Sequence, residues 1–225
     1  MQKLSPSHKT GVTQAALRFT ALRLKSRPET QALCPAFDAV RADLAQKQAA
    51  YEDAVDARMV LTAELEYRDH ALDARVMRLS RELLGQEERR DTGRFLRFFP
   101  APPSELLKPE GGALQHRAVR LILHALDEEG AAGVQELQHH AGPLRELQAA
   151  LEQAEAQREA LYVQESRAKA ERDLALREAQ QHYNLLYPQL MLLFPKDGAL
   201  VESFFRKLQA STRAEQDDEP SDDLG

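Results

Sequence analysis

Apolar residues recur at seven-residue intervals across the first third of the chain. Phe37, Leu44, Tyr51, Leu65, Leu72 and Leu79 form one series, broken at Arg58, and Val55, Val76 and Leu83 each follow a member of it by four residues. This 3.5-residue period is the seam of an amphipathic helix that must find other helices. It predicts one long helix over Phe37–Leu84, and about 50 residues at 1.5 Å each would span ~75 Å. Arg58, Thr62 and Asp69 are polar residues at seam positions. Polar seam residues lower stability while fixing register. The reading preferred from sequence is different: Met59, Val60 and Leu61 let the seam drift around the helix there.

The flanking pattern is shorter in period and punctuated by proline and glycine. Ser5-Pro6 reads as an N-cap and first helical residue, with Val12, Ala15, Ala16, Phe19 and Leu22 on one helical face and an end near Ser26. A connector follows over Arg27–Pro35. Gly85 and the charged run Gln86–Arg90 close the long helix, and Gly93–Pro100 is an aromatic knot containing Arg94, Phe95, Arg97, Phe98 and Phe99. Proline-rich Ala101–Pro109 and Gly111-Gly112 come next.

The plan then starts again. Leu114, Ala118, Leu121, Ile122 and Ala125 predict a second short helix, interrupted at Gly130–Gly133, and Gly142-Pro143 opens a second long helix through Leu144, Leu147 and Leu151. Its apolar content returns at Tyr183, Leu186 and Leu190, and Pro188 is expected to kink or end it. Leu193-Phe194-Pro195 mirrors Phe98-Phe99-Pro100, and Ala199–Leu208 predicts a last short helix carrying Phe204 and Phe205.

The expected fold is all-α: an elongated antiparallel helical bundle or coiled coil of two long helices with shorter flanking helices, built by internal duplication. The expected organisation is a first helical repeat over 1–110, a second over 111–210 with its C-terminal short helix, and a disordered acidic tail over 211–225. Coiled-coil sequences resemble one another by composition, so the order of elements carries the duplication more than residue identity does.

Composition narrows the classes. The hydrophobic fraction of 43% suffices for a packed core, while the absence of Trp and the preponderance of Ala, Leu, Glu, Gln and Arg favour helices. Net charge is −6, but six carboxylates against Arg213 put −5 in residues 211–225, leaving −1 on the body. A body without a basic face predicts no nucleic-acid binding. Cys34 is the sole cysteine, Met1–Thr10 has no apolar signal-peptide core, and the apolar run Leu190–Phe194 is far shorter than the ~20 residues of a membrane span. A cytoplasmic protein is expected, and the Arg- and Ala-rich usage suggests a bacterial source.

Chemistry is sparse. Glu66 with His70 and Glu178 with His182 each share a helical face, which would suit a ferritin-like metal bundle, but di-iron bundles use a three-residue Glu-x-x-His spacing that neither pair has. His139-His140, with His116 and His124 before them, lack a Cys or carboxylate cluster of zinc spacing and read as surface histidines. Cys34 has no recognisable base, and no phosphate loop or nucleophile elbow is present. The sequence therefore predicts no enzyme, no cofactor and no metal. It predicts a structural or adaptor protein that forms a homodimer or higher homo-oligomer and binds protein partners through helical surfaces. A peripheral membrane protein is the further alternative. Interaction residues are expected at the knot and its mirror: Arg94, Phe95, Arg97, Phe98, Phe99, Phe194, Phe204 and Phe205. Between membrane docking and an internal plug for the rings, the plug is preferred, with the arginines incidental.

Overall fold

The seven-residue seam becomes helix α2, Cys34–Glu87, 54 residues long, and the second predicted long helix becomes α6, Ala141–Leu193, of 53 residues. The computed structural model describes residues 3–87, 89–107 and 112–207. The predicted tail 211–225, the end of the last predicted helix at Leu208 and the side chain of Leu114 lie outside that description. Every regular element among the described residues is helical. Besides α2 and α6 these are α1 (Thr10–Lys25), α3 (Gly93–Phe98), α4 (Pro103–Leu106), α5 (Gly112–Ala131), α7 (Gly198–Ser203) and two 3-10 turns, Pro28–Leu33 and Gln138–His140. The protein is an all-α bundle.

The chain forms two compact units that cut across the sequence segments 1–110 and 111–210. A middle unit takes Ala54–Glu165, and a terminal unit takes the described parts of Met1–Asp53 and Ser166–Gly225. Each unit holds part of α2 and part of α6.

In the middle unit the two long helices run antiparallel: Arg58 meets Glu165, Arg68 meets the Ala150 carbonyl, and Glu82 meets His140. Leu65, Leu72, Val76, Leu79 and Leu83 of α2 pack with Leu144 and Leu151 of α6 and with Val119, Ile122 and Leu126 of α5. From Leu65 to Leu83 the heptad residues are the buried ones, as a 3.5-residue seam requires. Helix α5 is held at its start by Gln115, whose Nε2 donates to Asp69 Oδ1 at 2.6 Å and Asp73 Oδ1 at 3.0 Å. It ends in a Schellman motif, with Val134 N–H on the Glu129 carbonyl, Gly133 N–H on the Gly130 carbonyl, and Gly133 at φ +84°, a conformation that favours glycine.

The terminal unit buries Leu17 and Leu24 of α1, Phe37 and Leu44 of α2, Ala179, Tyr183, Leu186 and Leu190 of α6, and Val201, Phe204 and Phe205. Helix α1 departs from expectation. It begins at Thr10, because Ser5–Ser7 form a turn in which the Ser5 N–H donates to His8 Nδ1 at 2.9 Å. Its buried face is Thr13, Ala16, Leu17, Thr20, Ala21 and Leu24, and Val12 and Leu22 are exposed. The two threonines can be inside because their hydroxyls are satisfied: Thr20 Oγ1 donates to the Phe204 carbonyl at 2.8 Å, and Thr13 Oγ1 accepts from Gln180 Nε2 at 3.4 Å.

Helix α2 closes at Glu87, within the charged run expected to end it, while Pro188, expected to kink or end α6, does not end it. Gly85 lies within α2, and α6 continues five residues past Pro188 to Leu193. Pro188 removes the helical donor to the residue four positions back, Asn184. The side chain of Asn184 is occupied elsewhere: its Oδ1 accepts from Leu4 N–H at 2.9 Å and its Nδ2 donates to the Leu4 carbonyl at 2.8 Å. Leu4 is thereby held buried by a pair of bonds like one rung of a β-ladder.

Candidate functional sites

The aromatic knot is an internal plug of the middle unit. Thr92 caps α3 by accepting from the Phe95 N–H, which turns Phe95 and Phe98 inward, and Phe99 follows at the C-cap. All three rings are buried, with the Phe95 and Phe99 centroids 5.3 Å apart. The arginines are not incidental. Arg94 Nε and Nη2 hold the two oxygens of Glu129 at 2.7 and 3.0 Å, and Arg97 Nη2 adds a third bond at 2.7 Å. Glu129 is only 4% exposed, so its charge needs this fork. Hydrogen bonding from Arg94 holds the Glu129 carboxyl below its usual range, and the same bonds raise Arg94.

The mirrored aromatics plug the terminal unit. Phe204 and Phe205 are buried, half-buried Phe194 stacks on Phe204 at 6.2 Å, and Tyr183 meets Phe205 edge-on at 5.2 Å. Burial pushes the Tyr183 hydroxyl up to about 12. The rings expected to meet a partner are thus largely spent on the two cores.

The remaining sequence candidates fall differently. Glu66, His70, Glu178 and His182 are all exposed, so neither Glu-His pair offers buried ligands. His140, expected at the surface, is fully buried, and His139 stacks beside it with ring centroids 4.2 Å apart. The carboxylate that sequence spacing did not supply comes from α2: Glu82 Oε2 lies 2.9 Å from His140 Nε2 and 3.4 Å from His139 Nε2. The hydrogen bond from His140 holds Glu82 below the usual carboxylate range, while burial lowers His140. His140 is therefore a neutral donor to a carboxylate. No local pattern joins residues 82 and 140, and only the antiparallel pairing of α2 with α6 does so.

The short helices are too short in sequence to cover the whole length of the long ones, and the structure shows where the covering ends. None of residues 45–60 in α2 and none of 155–174 in α6 is buried. In the middle unit this leaves an open groove floored by Leu61 and Leu161 and walled by Ala57, Val60 and Ala160. The seam does not drift here. Met59 and Val60 are 60% and 71% exposed, and only Leu61 joins the core. The polar seam residues instead find partners: Arg58 Nε donates to Glu165 Oε2 at 2.5 Å with its guanidinium over Tyr162, Thr62 donates to the Arg58 carbonyl, and Asp69 receives Gln115. The Arg58 and Asp69 contacts run between helices, whereas the Thr62 bond stays within α2.

Among the described residues no helix is long and apolar enough to cross a membrane. The chain matches no protein-family model, no curated protein and no solved structure.

Proposed function

We propose that this is a non-enzymatic helical scaffold, cytoplasmic and homodimeric, whose long helices present a surface for association. The observation that carries this reading is the groove at Ala57, Val60, Leu61, Ala160 and Leu161. On α2, Ala57, Val60 and Leu61 stand at spacings of three and four, the pattern that accepts a further helix, and on α6 the adjacent Ala160 and Leu161 face them, flanked by Gln157 and Gln164. A second copy is the favoured occupant. Two helix pairs, each laying its open face on the other about a two-fold axis, complete a four-helix bundle with the same patch on both sides. The neighbouring Met59, Tyr162 and Val163 add exposed apolar area beyond scattered surface residues.

Sedimentation equilibrium tests the reading. The full chain should show a concentration-dependent dimer, and Val60→Glu or Ala160→Glu should return it to monomer. Both positions are exposed, so the helical content of the variants should not change. A monomer at all concentrations up to the hundred-micromolar range would overturn the homodimer.

A further inference from the structure

The two histidines ahead of α6 converge on one carboxylate oxygen near the end of α2. His139 Nδ1 lies 3.2 Å from the Glu136 carbonyl. A carbonyl only accepts, so the Nδ1 carries the proton, and in the neutral ring Nε2 is left with a bare lone pair. That lone pair stands 3.4 Å from Glu82 Oε2. A nitrogen lone pair facing a carboxylate oxygen is repulsive unless a proton or a metal cation stands between them. The other side of the same oxygen is approached by His140 Nε2 at 2.9 Å, and the donor atoms of all three residues lie within 4.8 Å of one another.

We propose that Glu82, His139 and His140 form a binding site for a divalent transition-metal ion of the zinc class. Two imidazoles and one carboxylate are a donor set that such ions accept, and a site with three protein ligands keeps one position for water. Two of the three donor separations can be set against a tetrahedral ion, and the two histidine donors lie within 4.8 Å of each other. Donors at about 2.0–2.1 Å from a tetrahedral ion are about 3.3 Å apart. The Glu82–His139 separation of 3.4 Å already fits, the Glu82–His140 separation of 2.9 Å must open by a few tenths of an ångström, and the His140 ring must move its proton from Nε2 to Nδ1 before Nε2 can ligate. The bond from His139 Nδ1 to the Glu136 carbonyl is the outer-shell contact that orients a metal-bound imidazole and raises its basicity.

The surroundings also set limits on strength. His139 is exposed and the Glu82 side chain is partly so, which gives the ion a path from solvent and a place for its water. His140 Nδ1 is buried without a hydrogen-bond partner, so this second imidazole lacks the outer-shell support of the first. Arg75 donates to the His139 carbonyl at 2.9 Å, fixing the turn while placing a positive charge near the site. Both features weaken binding. The site is independent of the dimer groove.

Calorimetric titration of the untagged full chain with Zn2+ tests the proposal, with the visible spectrum of the Co2+ form as a second readout. One ion per chain should bind saturably, and Co2+ should give the absorption of a four-coordinate ion. Glu82→Gln and His139→Ala should each weaken binding at least tenfold, whereas His182→Ala, on the exposed face of α6, should not. Both site variants change groups open to solvent, and an unchanged circular dichroism spectrum confirms their fold. No saturable binding, or binding indifferent to Glu82→Gln and His139→Ala, overturns the proposal.

Discussion

The two units solve the same packing problem with different polar chemistry. Each covers part of the long-helix pair with a short helix and closes with a cluster of aromatic rings. In the middle unit the internal polar contacts carry charge: Glu129 with Arg94 and Arg97, Glu82 with His140, His116 with Glu155, and Gln115 with Asp69 and Asp73. In the terminal unit they are neutral: Thr20 on the Phe204 carbonyl, Thr30 on the Leu24 carbonyl, Gln180 on Thr13, and Asn184 on Leu4. Its ion pairs, among them Lys25–Asp38, Lys47–Glu171 and Arg172–Asp173, each keep at least one partner open to solvent. A buried charge that loses its partner costs far more than a neutral group does. The middle unit should therefore answer to proton concentration and to charge deletion, and the terminal unit mainly to loss of volume.

The largest effect should be common to both. Phe99→Ala and Phe204→Ala each remove a buried ring, and each should destabilise by about 3–5 kcal/mol in chemical denaturation. An unchanged midpoint for Phe99→Ala would mean that its ring is outside the core. The charged and neutral locks should then separate. Glu129→Gln leaves two guanidiniums facing an amide and should cost about 2–3 kcal/mol, the cost reduced because Arg94 keeps Glu87 and some water. Thr20→Val keeps the shape and leaves one carbonyl without its donor, for about 1–2 kcal/mol. Equal losses from the two substitutions would erase the contrast between the units.

Acid should give the smallest and most selective effect. The carboxyl of Glu129 is lowered from its ordinary 4.5 by Arg94, with Arg97 contributing. A group with a depressed folded pKa stabilises fully above its unfolded value and loses that contribution as pH falls through the folded one. Hydrogen exchange at pH 3.5 compared with pH 6 should therefore show protection falling in α5 more than in α1, once intrinsic rates are corrected. Parallel loss in both helices would show that Glu129 is not what confines acid sensitivity to the middle unit.

How legible each part was in the sequence depends on how local its cause is. Helix α2 was readable because Phe37, Leu44, Leu65, Leu72 and Leu79 declare their period without reference to anything else. The face of α1 was not, since Thr13 and Thr20 look more polar than Val12 and Leu22 until Gln180 and the Phe204 carbonyl arrive from the far end of the chain. Arg94 and Arg97 look like solvent-seeking cations until Glu129, three turns of another helix away from any obvious signal, is found beneath them. The same holds for Glu82, which is one acid among many on α2 and gains meaning only beside His139 and His140. Pro188 does not end α6, which runs on to Leu193 with Tyr183, Leu186 and Leu190 buried on either side of the proline.

The bonds between Leu4 and Asn184 have a consequence for how the protein is made. They join residues 180 positions apart, whereas the middle unit is one uninterrupted stretch of chain. On a ribosome the middle unit has all its parts once residue 165 has emerged, but α1 must wait for Asn184, Leu190 and Phe204 before its buried face is covered. Closing a flexible loop of that length costs about 4–5 kcal/mol in chain entropy. A middle unit already folded, with Arg58 bound to Glu165, brings the two ends of that stretch together and shortens the loop that remains. The early-made helix α1 is thus the last to find its place, and Leu17 and Leu24 are the surfaces a chaperone would meet in the interval.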